Sequence, residues 1–194
     1  FGAEIHWIDT TDPYADAVQE RLDALEAAVL ERGGKPWQIR LPGKTGALAA
    51  AAAISLADEL AAAWSEPPDI VCLAAGSGLT VAGLLAGFAK TGIPSTVLAV
   101  SVQQPSSFIR PLILKRAQEA AELMQLDAVI DAGRLVVDDD VIAPGYGLSS
   151  PASLAALSLA GRAGGLVLDP GLDGRTVLVL EGHGHAAHAR ADRP

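Results

Sequence analysis

Apolar and polar positions along this chain fall into two alternating registers. Short runs rich in strand formers are "AEIHWI" (3–8), "PWQIRL" (36–41), "DIVCLA" (69–74) and "STVLAVSV" (95–102). Between them lie longer runs with apolar residues every three or four positions, the spacing of a helix with one buried face. "PYADAVQERLDALEAAVLER" predicts an amphipathic helix closed by Gly33 and Gly34. "TGALAAAAAISLADELAAAW" predicts one long helix of small residues, able to pack close against a sheet. "TVAGLLAGFAK" predicts a helix ended by Gly92 and Pro94, and "SSFIRPLILKRAQEAAELM" one that is bent at, or starts at, Pro111. "AVIDAGRLVV" holds a short strand or two, and "DDDVIAPGYGLSSP" reads as a long loop. "ASLAALSLAGRAG" is then a helix with Ser150 and Pro151 at its start, and "GLVLDP" and "RTVLVLE" are late apolar runs. The alternation predicts an α/β fold: an open, mainly parallel twisted sheet with helices on both faces.

One turn in this pattern carries chemistry. "CLAAGSGLTVAGLLAG" (Cys72 to Gly87) sets Gly76, Ser77, Gly78, Leu79 and Thr80 between a strand and a helix. Such a turn aims several backbone N–H groups at one point, and the helix start adds positive partial charge, so an anion, usually phosphate, is the natural guest. Glycines in such a turn also serve tight packing. The spacing of Gly76, Gly78 and Gly83 is not the G-x-G-x-x-G of a dinucleotide site, and no acidic residue ends the next strand to hold a ribose. "PGKTGA" (42–47) resembles the end of a nucleotide-phosphate loop, but Gln38 stands where its first glycine is required.

Composition narrows the partners. Half of the 194 residues are hydrophobic and only 4% aromatic, so the core is built from Ala, Leu and Val. A net charge of −9 argues against nucleic acid or an anionic membrane as the main partner. An anion would have to be held by local dipoles. Asp58 and Glu59 interrupt the Ala-rich run 47–63, so no membrane span is expected. The lone cysteine, Cys72, cannot form an intrachain disulfide, fits a reducing cytoplasm, and reads as a small buried hydrophobe within its apolar run. The first residue is Phe1, already inside a strand pattern, so an upstream segment is expected.

Two further groups are weighed. His183, His185 and His188 follow an apolar run at a spacing that can converge on zinc, but Ala187 stands where the comparable metallo-β-lactamase signature has Asp, so a polar tail and no metal is the expectation. Tyr146 lies between two glycines on a loop, where a phenol can face a ligand. The acidic run 138–140 reads as a solvated turn.

Taken in order, "FGAEIHWID", "GGKPWQIRLPGKTGALA", "AAGSGLTVAGLLAG", "VLAVSVQQPSS", "APGYGLSSPASLAAL" and "GGLVLDP" resemble the D-cysteine desulfhydrase and 1-aminocyclopropane-1-carboxylate deaminase family of fold-type II pyridoxal-phosphate enzymes. The resemblance runs from Phe1 to about Pro170. It implies that the cofactor is pyridoxal 5'-phosphate, with its phosphate held by Gly76, Ser77, Gly78, Leu79 and Thr80. It implies that Tyr146, as the tyrosine of the family's Gly-Tyr-Gly loop, is the catalytic side chain beside the substrate. It implies a small amino acid substrate, release of ammonia and a keto acid, and a homodimer. It also implies that 1–40 is the remnant of a smaller N-terminal domain and 41–194 the cofactor domain with an altered end.

The departures are specific. The family's cofactor-bonding lysine lies upstream of the segment matching Phe1, while Lys35, Lys44, Lys90 and Lys115 match other regions. Leu79 replaces a usual glycine, and Leu172 stands where a tyrosine is expected. "LEGHG" lacks the threonine that meets the pyridine nitrogen. A non-catalytic module of the same fold, holding a phosphorylated small molecule or a partner chain, is therefore the alternative reading.

Overall fold

The structure is a computed structural model that describes residues 2–10, 12, 14–39, 44–142 and 148–169. The chain forms two compact units, Phe1–Arg40 and Leu41–Pro194.

In the first unit, α1 (Asp16–Glu31) has no buried residue. The segments flanking it run as coil, not as the strands the alternation of 3–8 and 36–41 suggests. A strand needs a ladder partner and a surface to bury its apolar side. Neither segment has one among the described residues: Ile5, Trp7, Trp37 and Ile39 are all more than two-thirds exposed. Side-chain hydrogen bonds tie both segments to the helix instead. Arg21 meets His6 Nδ1 at 2.7 Å. Gln38 donates to the Leu22 carbonyl at 3.3 Å and to the Glu26 carboxylate.

Among the described residues the second unit is built on a three-stranded parallel sheet in the order β1 (Ile70–Ala75), β2 (Thr96–Ser101), β3 (Leu135–Asp138). Ile70 pairs with Thr96 and Ala75 with Ser101, while Val97 pairs with Leu135 and Val100 with Asp138. Successive side chains alternate between faces. Val71, Leu73, Val97, Ala99, Leu135 and Val137 join the main core with the helices. Cys72, Leu98 and Val100 form a smaller cluster with Val141. The segment before β3 yields one strand preceded by a single 3-10 turn, Ala132–Arg134. The apolar run after the last described helix carries no strand in 165–169.

The main core is made by α2 (Lys44–Ala52), α3 (Ile54–Ala63), α4 (Leu79–Thr91) and α5 (Ser106–Leu123). The long Ala-rich helix expected from sequence is broken at Ala53, and its closest fit is to α4 rather than to the sheet. A Cβ on Gly83 would stand 2.3 Å from the Ala50 carbonyl oxygen and 2.5 Å from the Ala53 Cβ. One on Gly87 would stand 2.4 Å from the Ala57 Cβ. The glycines at i and i+4 therefore let backbone touch backbone, and α4 is buried without interruption from Val81 to Phe88. By length and composition the helical run Thr45–Ala63 is apolar enough to cross a membrane, so Asp58 and Glu59 do not by themselves exclude a span, but the core helix of a soluble protein passes the same test. Its Ala50, Ile54 and Ala57 are buried in the core of this unit.

α5 starts five residues before Pro111, which lies inside it. A proline there deletes one N–H without ending a helix that tertiary packing holds. α6 (Pro151–Gly164) begins as the sequence suggests: the Ser150 side chain accepts from the Ser153 N–H, Ser153 reciprocates, and Pro151 takes the first helical position.

Replacing Gly83 with alanine sets two effects against each other. Better helix propensity returns up to about 1 kcal/mol. Overpacking against a backbone carbonyl that cannot rotate away costs about 1–3 kcal/mol. The clash wins, so Gly83→Ala is expected to lower the urea midpoint of the chain. A midpoint equal to or above that of the parent would refute the close contact of α4 with α2 and α3.

Candidate functional site

All three strands run the same way, so their carboxyl ends lie along one edge, where ligands of open parallel sheets bind. β1 ends at Ala75, tied to the next strand by the Val102 N–H donating to the Ala75 carbonyl at 3.2 Å. Gly76, Ser77 and Gly78 then make the bend into α4. Gly78 is left-handed, with φ 75° and ψ 5°, which disfavours any side chain. Space excludes one as well, since a Cβ there would fall 2.5 Å from Ile113 Cγ1. Gly76 is different: a Cβ there meets only Val102 Cγ2, at an ordinary 3.9 Å.

The helix begins with its first bond from the Ala82 N–H to the Gly78 carbonyl, 2.9 Å. The N–H groups before Ala82 lack intrahelical acceptors, as at any helix start. No side chain caps this end among the described residues. Ser77 is half-buried and Thr80 exposed, so solvent or a ligand can reach both residues. Leu79 packs against the main core, so the side chain in the usual glycine's place is partly accommodated by apolar neighbours.

Beneath the turn lies a charge that the sequence reading missed. Arg116 is 98% buried on α5, and its guanidinium donates to the Ser77 carbonyl. The signal was present in the sequence. Arg116 follows Ile109 and Ile113 at helical spacing and precedes Ala117 and Ala120, on a face otherwise apolar.

The second helix that starts on this edge is built differently. The Ser106 N–H of α5 donates to the Asp139 carboxylate at 2.5 Å, and the Ser101 hydroxyl donates to the Gln104 carbonyl at 2.5 Å. The hydrogen bonds from Ser106, first through its backbone and then its side chain, hold Asp139 below the usual carboxylate range. Asp139 is thus a helix cap rather than part of a merely solvated turn. Of two positive helix ends on one edge, α5 has a protein carboxylate at its mouth and α4 has none among the described residues.

Cys72 is half-buried on the smaller cluster, not fully buried, and its thiol is pushed up to about 11 by burial and by the nearby charge of Asp138. A thiol held protonated at neutral pH is a packing group and a poor nucleophile. Lys90 bridges α4 to α3 through Asp58, with contacts of 2.9 and 2.8 Å to the two carboxylate oxygens. Lys115 meets Glu119 one turn on, at 3.7 Å. Lys44 opens α2, and Lys35 lies in the coil after α1. Tyr146, Leu172, His183, His185 and His188 lie outside the described residues. Among the described residues no group of three His, Cys, Asp or Glu is placed to hold a metal.

Two outcomes follow from these shifts. A carboxylate whose folded value is depressed contributes stability above its unfolded value, near 3.8, and loses it as pH falls through the folded one. Asp139→Ala should therefore lower the melting temperature at pH 7, with the deficit shrinking as pH falls below about 4. A deficit that is constant down to pH 2 would exclude the charged cap. Cys72 should alkylate slowly at pH 8, where roughly one thiol in a thousand is ionised, and faster with each pH step up to about 11. A rate that levels off near pH 9 would contradict its environment.

A family model described as pyridoxal-phosphate dependent enzyme matches residues 1–184. A 1-aminocyclopropane-1-carboxylate deaminase of Methylobacterium sp. (strain 4-46) is 26% identical over 179 residues, 91% of this chain and 52% of that protein. A 1-aminocyclopropane-1-carboxylate deaminase of Pseudomonas syringae pv. tomato (strain ATCC BAA-871 / DC3000) is 30% identical over 154 residues, 78% of this chain and 46% of that protein. The fold matches the crystal structure of an ACC deaminase homologue with a TM-score of 0.78 at 22% identity, over 92% of this chain and 53% of the other. The chain spans about half the length of the curated relatives it matches. The open parallel sheet, the turn into α4 and the family match agree: this chain belongs to the pyridoxal-phosphate dependent enzymes.

Proposed function

We propose that this chain carries the phosphate-binding part of a pyridoxal-phosphate-dependent lyase or deaminase for a small amino acid, of the D-cysteine or 1-aminocyclopropane-1-carboxylate type. The carrying observation is the asymmetry of the two helix ends on the carboxyl edge. Asp139 fills the mouth of α5, and an anion there would meet a like charge. The start of α4 offers N–H groups with no side-chain cap among the described residues, a left-handed glycine and two accessible hydroxyl residues. That donor set fits a phosphate.

Gly76, Ser77, Gly78, Leu79 and Thr80 would hold the phosphate through backbone N–H groups, with the Ser77 and Thr80 hydroxyls as further donors. Leu79 can serve through its backbone while its side chain stays with the core. Tyr146 would hold a proton on its phenol oxygen beside the substrate. When bound, the cofactor supplies the electron sink for the elimination that releases ammonia and a keto acid. Residues 1–40 would be what this chain retains of a smaller N-terminal domain and 41–194 the cofactor domain. A cytoplasmic homodimer completes the proposal. The lone cysteine, which cannot form an intrachain disulfide, suits a reducing compartment.

The test separates binding from turnover. Equilibrium dialysis of the purified chain should show retained pyridoxal phosphate, and Ser77→Ala/Thr80→Ala should weaken it roughly tenfold, about 1.4 kcal/mol. The natural full-length protein should release ammonia and a keto acid from D-cysteine or 1-aminocyclopropane-1-carboxylate. Retention in the double variant equal to the parent would move the phosphate to another place. Cofactor binding with no turnover of any small amino acid would leave a non-catalytic binding module of the same fold.

A further inference from the structure

We infer that Arg116 is a positioning residue for the anion site: it fixes the peptide between Ser77 and Gly78 so that the Gly78 N–H is presented as a donor. This rests on the reading of the α4 turn as the phosphate site. The Ser77 carbonyl accepts from the Arg116 guanidinium, which is 98% buried on α5. The described peptide bonds are all trans. In a planar trans peptide the carbonyl and the following N–H point in opposite directions. Drawing the Ser77 carbonyl towards α5 therefore turns the Gly78 N–H away from α5, out of the protein's own hydrogen bonding on that side. Without the guanidinium, a glycine-flanked peptide rotates at little cost, because Gly78 lacks the Cβ that would resist it.

Two further observations make the device specific. Gly78 sits against Ile113, one turn before Arg116 on the same helix, so α5 fixes the turn both by contact and by hydrogen bond. The buried guanidinium also brings a full positive charge beneath a turn in a chain whose net charge is −9. In a low-dielectric setting that charge favours an anion above it and disfavours a neutral ligand of the same shape. A charge this deeply buried is costly unless it is well bonded. Its placement under the one helix start on this edge without a described cap is therefore informative.

The experiment uses the 194-residue chain with pyridoxal phosphate and, as the phosphate-free comparison, pyridoxal. Affinities come from dialysis, and the Gly78 amide is followed by 15N–1H correlation spectra. In the parent, pyridoxal phosphate should shift the Gly78 amide. Arg116→Met should weaken pyridoxal phosphate by roughly tenfold or more, the size expected for one lost charge-assisted bond, while pyridoxal changes little. Arg116→Lys, which keeps the charge and one donor, should recover most of that loss. Should Arg116→Met fail to fold, Arg116→Gln, which retains a neutral donor, takes its place with an intermediate loss expected.

Parent-like affinity in folded Arg116→Met or Arg116→Gln overturns the inference. So does an equal loss for pyridoxal and pyridoxal phosphate, which would mark Arg116 as a support of the fold alone. If the parent itself binds no pyridoxal phosphate, the phosphate-site reading fails. The ligand-free spectra then still decide the role of Arg116. A Gly78 amide that moves in Arg116→Met and returns towards the parent position in Arg116→Lys supports it, and an unmoved amide removes it.

Discussion

The second unit depends on how closely α4 can approach its neighbours. Gly83 and Gly87, one turn apart, let the α4 backbone rest on Ala50, Ile54 and Ala57 of α2 and α3 and on Ala53 between them. Any side chain at either glycine would push the helices apart. The residues around them, from Val81 to Phe88, are buried on every side, which makes α4 the central post of the core. Its other contacts reach α5, β1 and β2. The position of its N-terminus, and so of the candidate anion site, is inherited from contacts about one and two turns away.

That inheritance explains why the turn itself can be small. A left-handed Gly78 and a carbonyl turned to Arg116 keep their places because α4 and α5 are already fixed by their own packing. The neighbouring end of α5 shows the contrary arrangement. There Asp139 closes the helix from the loop after β3, linking strand, loop and helix in a structural cap. The edge thus divides into one helix end closed by a protein carboxylate and one without a side-chain cap among the described residues. An acidic chain can hold an anion in this way because the relevant field is local. It comes from N–H groups and a buried guanidinium within one turn, while the excess carboxylates are screened by solvent.

The first unit obeys a different balance. Ile5, Trp7, Trp37 and Ile39 are the apolar positions of segments that alternate like strands, yet they are exposed and the segments are coil. Alternation records what a segment is suited to bury. It does not provide the neighbouring strand. Hydrogen bonds from Arg21 and Gln38 hold these segments near α1, at partly solvated sites where such bonds are worth little each.

The sequence by itself determined the α/β class, the parallel character of the sheet, the Ser150–Pro151 start of α6 and the glycine turn into α4. Each of these is written in local signals: hydrophobic period, breakers and capping residues. It also held Arg116 in plain view, as a charge on an apolar helical face, although its partner could not be named from the chain. Tertiary structure alone decided the rest. The break at Ala53, the persistence of α5 through Pro111, the capping of α5 by Asp139 and the grip of Arg116 on the Ser77 carbonyl all join residues far apart in the chain or depend on such contacts. A propensity expresses what one segment prefers, whereas a close approach or a buried charge is satisfied only by what another segment brings to it.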